Sequence, residues 1–116
     1  MKNLNDYMLL FRMKINPAAR PNQEQLAQIK AAWQSWIMGI AEQARLVSSY
    51  QLGFEGVVLN PEKNQSPGFH ETNSESVTGN LTLKAESLEE AERIVKGCPV
   101  FHAGGSVEIR NVLTVY

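Results

Sequence analysis

The 116-residue sequence predicts one α+β domain: an antiparallel β-sheet with two helices on one of its faces. Three observations predict it. Apolar residues alternate with period two in well-separated stretches near the start, in the last third and at the end, as half-buried strands do. In two intervening stretches they recur at threes and fours, the spacing of a helix with one apolar stripe. The elements also follow one another as β-α-β-β-α-β, with a hairpin-like middle.

The first strand is Tyr7, Leu9, Phe11, Met13 and Ile15 alternating with Met8, Leu10, Arg12 and Lys14; Asn16-Pro17 closes it. Pro21-Asn22 opens a helix. Its stripe is Leu26, Ile29, Trp33, Trp36, Ile37, Ile40 and Ala44, with Asn22 as N-cap and Gln25 at the capping-box position. Gly39 costs such a helix about 1 kcal/mol relative to Ala, a cost that close packing against the sheet would explain.

Val47 to Phe54 has no clear period and fits a short extended piece. Gly56-Val57-Val58-Leu59 reads as a short strand stopped by Asn60-Pro61. Residues 60–76 are rich in Asn, Ser, Pro and Gly and are expected as a long loop, where function often resides.

Val77, Leu81 and Leu83 share the inner face of the next strand, with Thr78, Asn80, Thr82 and Lys84 outside. Ser87-Leu88-Glu89-Glu90 is an S-x-x-E capping box. The helix it opens carries Leu88, Ala91, Ile94 and Val95 on one face and stops at Gly97 and Pro99. After a Gly104-Gly105 hinge, Val107, Ile109 and Leu113 alternate with Glu108 and Arg110 in the last strand.

This order is the split-βαβ or ferredoxin-like plan over residues 1–116, with both helices on one sheet face. The other face would carry Met8, Leu10, Arg12 and Lys14, then Thr78, Asn80, Thr82 and Lys84, then Glu108 and Arg110. It is apolar at one end and charged at the other. Such a face suits a homodimer made sheet to sheet around a ligand cavity. It equally suits plain solvent contact with weak surface ion pairs.

Composition excludes several classes. Hydrophobic residues make 43% of the chain and charged residues 20%, which is ordinary for a globular protein. A net charge of −1 without any basic run argues against nucleic acid or an anionic membrane as partner. No apolar run approaches the ~20 residues of a membrane span, and the first residues lack a signal-peptide pattern. With the lone Cys98 unable to form an internal disulfide, a cytoplasmic location is expected.

Three stretches carry a family resemblance: YMLLFR, WQSWIMGIAEQARLVSSYQLG, and TGNLTLKAESLEEAERIVKGCPVFHAGGSVEIRNV. Together they cover just over half the chain and resemble the YCII-related (DGPF-domain) family. The resemblance implies a ferredoxin-like subunit of the dimeric α/β-barrel superfamily, in which two sheets pack face to face. Superfamily members include small-molecule isomerases, dehalogenases, monooxygenases and decarboxylation-type enzymes. The chain departs from the family's D-G-P-F/Y, x-E-x-K-E signature. Pro67-Gly68-Phe69-His70 falls on that loop, with Pro67 for the Asp, Ser74 for the Lys and Asn80 for a later aromatic. A one-residue slip instead aligns Phe69 and Glu71 with the family's aromatic and first Glu. Under either alignment the acid and the Lys are missing, and Asn111 stands where Pro is usual. The chemistry of that acid and Lys is therefore in question here.

His70 and Glu71 are the candidate acid-base pair, since His titrates near neutrality and a carboxylate can orient it. Adjacent residues of an extended loop point apart, however, and a loop His beside a Glu is more often solvated. His102 could join them at a metal, although no close His spacing calls for one. Cys98, at a helix C-terminus that disfavours a thiolate, reads as a small buried hydrophobe. Trp33 and Trp36 read as core. Arg12 and Arg110 suit an anionic group, and Asn80 would complete a polar site. No phosphate-loop pattern occurs, and no cofactor or metal is implied. The expectation is a dimer holding a small polar or anionic molecule between the sheet and the 60–76 loop, with His70 moving a proton. A non-catalytic binding or regulatory dimer, or a purely structural one, are the alternatives.

Overall fold

The computed structural model describes residues 3–14, 22–71 and 75–113. Ile15, Asn16-Pro17, Pro21, Asn73 and Ser74 lie outside the described residues. A four-stranded antiparallel sheet contains β1 (Asn5–Lys14), β2 (Leu46–Gln51), β5 (Glu75–Ala85) and β6 (Ser106–Asn111), ordered β2-β5-β1-β6. Helices α1 (Gln23–Glu42) and α2 (Leu88–Val95) complete an α+β arrangement compatible with the ferredoxin-like plan. Strands β3 (Val57–Leu59) and β4 (Gln65–Pro67) form a separate two-stranded sheet. No helix among the described residues is long and apolar enough to cross a membrane.

The period-two pattern of β1 sets the core. Tyr7, Leu9 and Phe11 are buried, and Leu9 stands between Leu81 of β5 and Ile109 of β6. Onto this layer pack Ile40 of α1, Ala91 and Val95 of α2, and Cys98 and Val100. Cys98 is buried as expected of a small hydrophobe. Trp33 and Trp36 meet Phe11 edge-on, with centroids 5.0 and 6.3 Å away, and the Trp36 Nε1–H donates to the Ile94 carbonyl at 3.2 Å. Gly105 is required by close approach: a Cβ there would lie 2.6 Å from Val100 Cγ2 and 2.7 Å from the Arg12 carbonyl oxygen.

Local signals decide the helix starts. Asn22 and Gln25 form the reciprocal capping box, with bonds of 2.7 and 3.0 Å. Ser87 accepts from the Glu90 N–H, but the second half of its box is absent. Glu90 instead accepts from the Glu86 N–H and from Arg45, an ion pair that fastens the start of β2 to α2.

Four expectations are corrected. The sheet's second strand is Leu46–Gln51, not Gly56–Leu59, which pairs with β4 inside the segment expected as loop. A tight turn makes this hairpin: the Asn60 side chain accepts from Asn64 N–H, and Lys63 takes a left-handed φ of 67°. Val77 leaves the inner face because a bulge between Phe11 and Arg12 brings it opposite Arg12. The α1 stripe outruns its support. Trp33 stands over Phe11, the last buried residue of β1, so Leu26 and Ile29 lie exposed beyond it, while Ala44 falls in a left-handed turn after the helix. Leu113, expected on the inner face, follows the end of β6 and is exposed.

Candidate functional site: the uncovered sheet face

The face of the sheet away from the helices is laid out by register in cross-strand rows. Lys84 faces Asp6; Ser48, Thr82, Met8 and Arg110 form the next row; Tyr50, Asn80, Leu10 and Glu108 form a third; Val77, Arg12 and Ser106 form the last. Two of the sheet's three pairings carry a bulge that is part of this layout, one between Phe11 and Arg12 and one between Leu46 and Ser48. Met8, Leu10 and Val77 make a half-buried apolar centre, Thr82 is buried among its neighbours, and Tyr50 is exposed at the edge.

Charge collects on one side of that centre. Glu108 and Arg110, two apart on β6, share a face by strand period. Arg12 sits one row from Glu108 on the adjacent strand. Arg12 donates to Glu108 Oε1 at 3.0 Å and Arg110 donates to Oε2 at 3.1 Å. One carboxylate thus faces two guanidiniums, leaving a net charge of +1 in the cluster. The hydrogen bond from Arg12, then that from Arg110, holds the Glu108 carboxyl below its ordinary range. At the opposite end, Lys84 Nζ pairs with Asp6 at 2.9 Å.

Of the residues expected to bind or react, Arg12, Asn80 and Arg110 share this face, with Asn80 and Glu108 flanking Leu10 in one row. His70 and Glu71 are elsewhere, exposed in the segment leading from β4 to β5. Ser76 Oγ donates to the His70 carbonyl at 2.9 Å, which fixes the backbone of that segment near the start of β5. His102 is exposed in a short 3-10 helix, Pro99–Ala103. Among the described residues no group of three or more His, Cys, Asp or Glu side chains is placed to hold a metal ion.

Sequence patterning missed the hub role of Glu108 and the presence of Tyr50. Alternation of Ser48, Tyr50 and Leu52 was the available signal for Tyr50, and the bulge beside Val47 obscured it. A second charged cluster lies apart from this face. Gln43, Arg45, Glu90, Arg93 and Ile94 line a cleft of about 250 Å³ where α1, β2 and α2 meet. There Arg45 also donates to the Lys84 carbonyl at 3.3 Å. Glu90 is held below its ordinary range first by the Glu86 N–H and then by Arg45, so this cluster works as a brace.

In comparison with known proteins, the chain matches no family model and no curated protein.

Proposed function

We propose that two copies of this chain associate through their uncovered sheet faces and hold a small carboxylate-bearing or similarly anionic organic molecule between them. The observation that carries this is the convergence of Arg12 and Arg110 on the single carboxylate of Glu108 beside an apolar, uncovered patch. A surplus guanidinium charge attracts an anion, Arg's planar fork suits a carboxylate, and Met8, Leu10 and Tyr50 offer apolar contact to the rest of such a molecule. Asn80, half-buried in the middle of the face, supplies a donor and an acceptor. The resemblance to the YCII-related family supports the same face-to-face pairing, and one buried thiol suits a cytoplasmic setting.

Binding without turnover is favoured over acid-base catalysis. Glu108 is kept ionised by two guanidiniums, which makes it a weak proton shuttle near neutrality. His70 and Glu71 stand off the face that carries the arginines. The missing acid and Lys of the signature loop point the same way.

Thermal stability against a panel of small organic acids, lactones and phenols tests the proposal, with the wild type and Arg12→Ala side by side. A ligand at about 100 times its dissociation constant adds roughly 2.7 kcal/mol. The expected result is a rise in melting temperature with organic acids that disappears in Arg12→Ala. A rise of equal size in both proteins would place the ligand elsewhere, and no rise across the panel would remove the ligand from the proposal.

A further inference from the structure

We infer that Glu108 is a built-in competitor for the ligand carboxylate, holding the seat between Arg12 and Arg110 that a bound acid takes over. The inference rests on the ligand reading proposed above and deepens it: it names the group that the ligand displaces and the residue that sets its affinity.

The way Glu108 is held carries this. A carboxylate paired with a single arginine commonly fills that arginine's fork with both oxygens. Glu108 is divided instead: Oε1 accepts from Arg12 Nη2 at 3.0 Å and Oε2 accepts from Arg110 Nη1 at 3.1 Å. A guanidinium has five N–H donors, and Glu108 engages one from each arginine. The two forks are thus drawn to one point and left largely unfilled. A ligand acid bridging both guanidiniums would sit as Glu108 sits, so the side chain in that seat is the protein's own version of the ligand's charged group.

Glu108 is also free to leave. It lies on β6, an edge strand, with a neighbouring strand of the sheet on one side only. Its side chain is 38% exposed, and those of Arg12 and Arg110 are 36% and 66% exposed. Ion pairs this open to water hold weakly, so exchanging one carboxylate for another costs little. The Arg45–Glu90 pair is the contrast within the same chain. Both of its side chains are more deeply set, and each also bonds a backbone group.

The surrounding charges make the competition local. Beyond Arg12, Lys14 stands opposite Glu75, and at the other end of the face Lys84 pairs with Asp6. Both are opposite-charge neighbours, so the surplus positive charge is confined to the two arginines around Glu108. In the rows between, β5 and β2 bring uncharged Asn80, Thr82, Ser48 and Tyr50. A ligand carboxylate in the seat lays its body over Leu10 toward Asn80, two strands and about 10 Å away. While Glu108 keeps its charge, a monocarboxylate enters against repulsion; once that charge is removed, the same acid meets two unopposed guanidiniums.

Isothermal titration calorimetry at neutral pH tests this with benzoate as probe and benzyl alcohol as its uncharged counterpart. Three proteins are compared: wild type, Arg12→Ala and Glu108→Gln. Glu108→Gln keeps the side chain's length and an acceptor for the arginines but removes the charge, and its circular dichroism should match the wild type. Benzoate is expected to bind Glu108→Gln about tenfold or more tightly than wild type, with benzyl alcohol unchanged, and to lose its binding in Arg12→Ala. Equal or weaker benzoate binding by Glu108→Gln would mean that Glu108 positions the arginines for the ligand, which overturns the inference. A gain of the same size with benzyl alcohol would overturn it too. In either case, loss of benzoate binding in Arg12→Ala leaves the proposed site standing. Absence of benzoate binding by both wild type and Glu108→Gln, or binding indifferent to Arg12→Ala, would overturn site and inference together.

Discussion

Leu81 and Leu59 are both strand leucines, and they occupy opposite environments. Leu81 sits on a central strand between Leu9 and Ser49, with no exposed surface, under the helices. Leu59 sits in a three-residue strand paired, among the described residues, with one other three-residue strand, and most of it meets solvent. Backbone pairing alone therefore settles little. A strand's side chains contribute to stability when a second layer covers them, and here the helices supply that layer for the main sheet only. Among the described residues the hairpin is left with ladder hydrogen bonds and no such covering layer, in contrast to β5.

Paired truncations break this comparison most directly. Leu81→Ala is expected to cost roughly 2–5 kcal/mol in urea unfolding, from lost transfer energy and the cavity left among Leu9, Leu83 and their neighbours. Leu59→Ala should stay within about 0.5 kcal/mol at concentrations where the chain is monomeric. A growing penalty for Leu59→Ala as protein concentration rises would sharpen the contrast, because burial on a partner stabilises only the associated form. Similar losses at both sites in dilute protein would show that the hairpin is covered by its own chain.

The parts of this fold that were legible in the sequence are those in which one residue pattern serves one layer. Tyr7, Leu9 and Phe11 alternate without interruption, and their burial follows. The capping residues Asn22 and Ser87 mark helix starts through local bonds alone. Where a bulge intervenes, alternation misleads, as at Val77, whose apolar side chain faces Arg12 rather than the core. β2 was hidden for the same reason, and the hairpin because Asn, Pro and Ser suit a turn and a loop alike. At the candidate site, strand period already put Arg12, Asn80 and Arg110 on one face. The sharing of Glu108 between two arginines was not legible, since it depends on the antiparallel register of β1 and β6.

Titration separates the covered layer from the open one in another way. Burial pushes the Cys98 thiol up to about 11. Because the folded state holds this proton more tightly than the unfolded chain, stability from the group is complete below about pH 9 and falls as pH rises toward 11. The loss should approach about 2–3 kcal/mol, and Cys98→Ala should flatten the alkaline slope by that amount. Glu108, on the open face, runs the other way. Its lowered folded value means that its contribution is present above the unfolded carboxylate range and is lost as pH falls through the folded value. An alkaline slope identical in Cys98→Ala would mean that the thiolate is solvated in the folded state and that this part of the core is looser than its packing indicates.

The smallest effect probes the helix layer itself. Gly39 lies inside α1, next to Ile40, the one buried residue of that helix among those described. Packing against the sheet would have explained the glycine, but a Cβ built there meets nothing within 4 Å. Gly39→Ala should therefore restrict the unfolded chain and favour the helix with no steric penalty, stabilising the protein by roughly 0.5–1 kcal/mol in chemical denaturation. The gain should persist from dilute to concentrated protein if α1's outer surface stays in solvent. A gain in dilute protein that turns into a loss as protein concentration rises would mean that a second copy comes within van der Waals contact of Gly39. The covered layer would then continue across subunits onto α1, and the glycine would be a feature of the interface, not a cost carried by the helix.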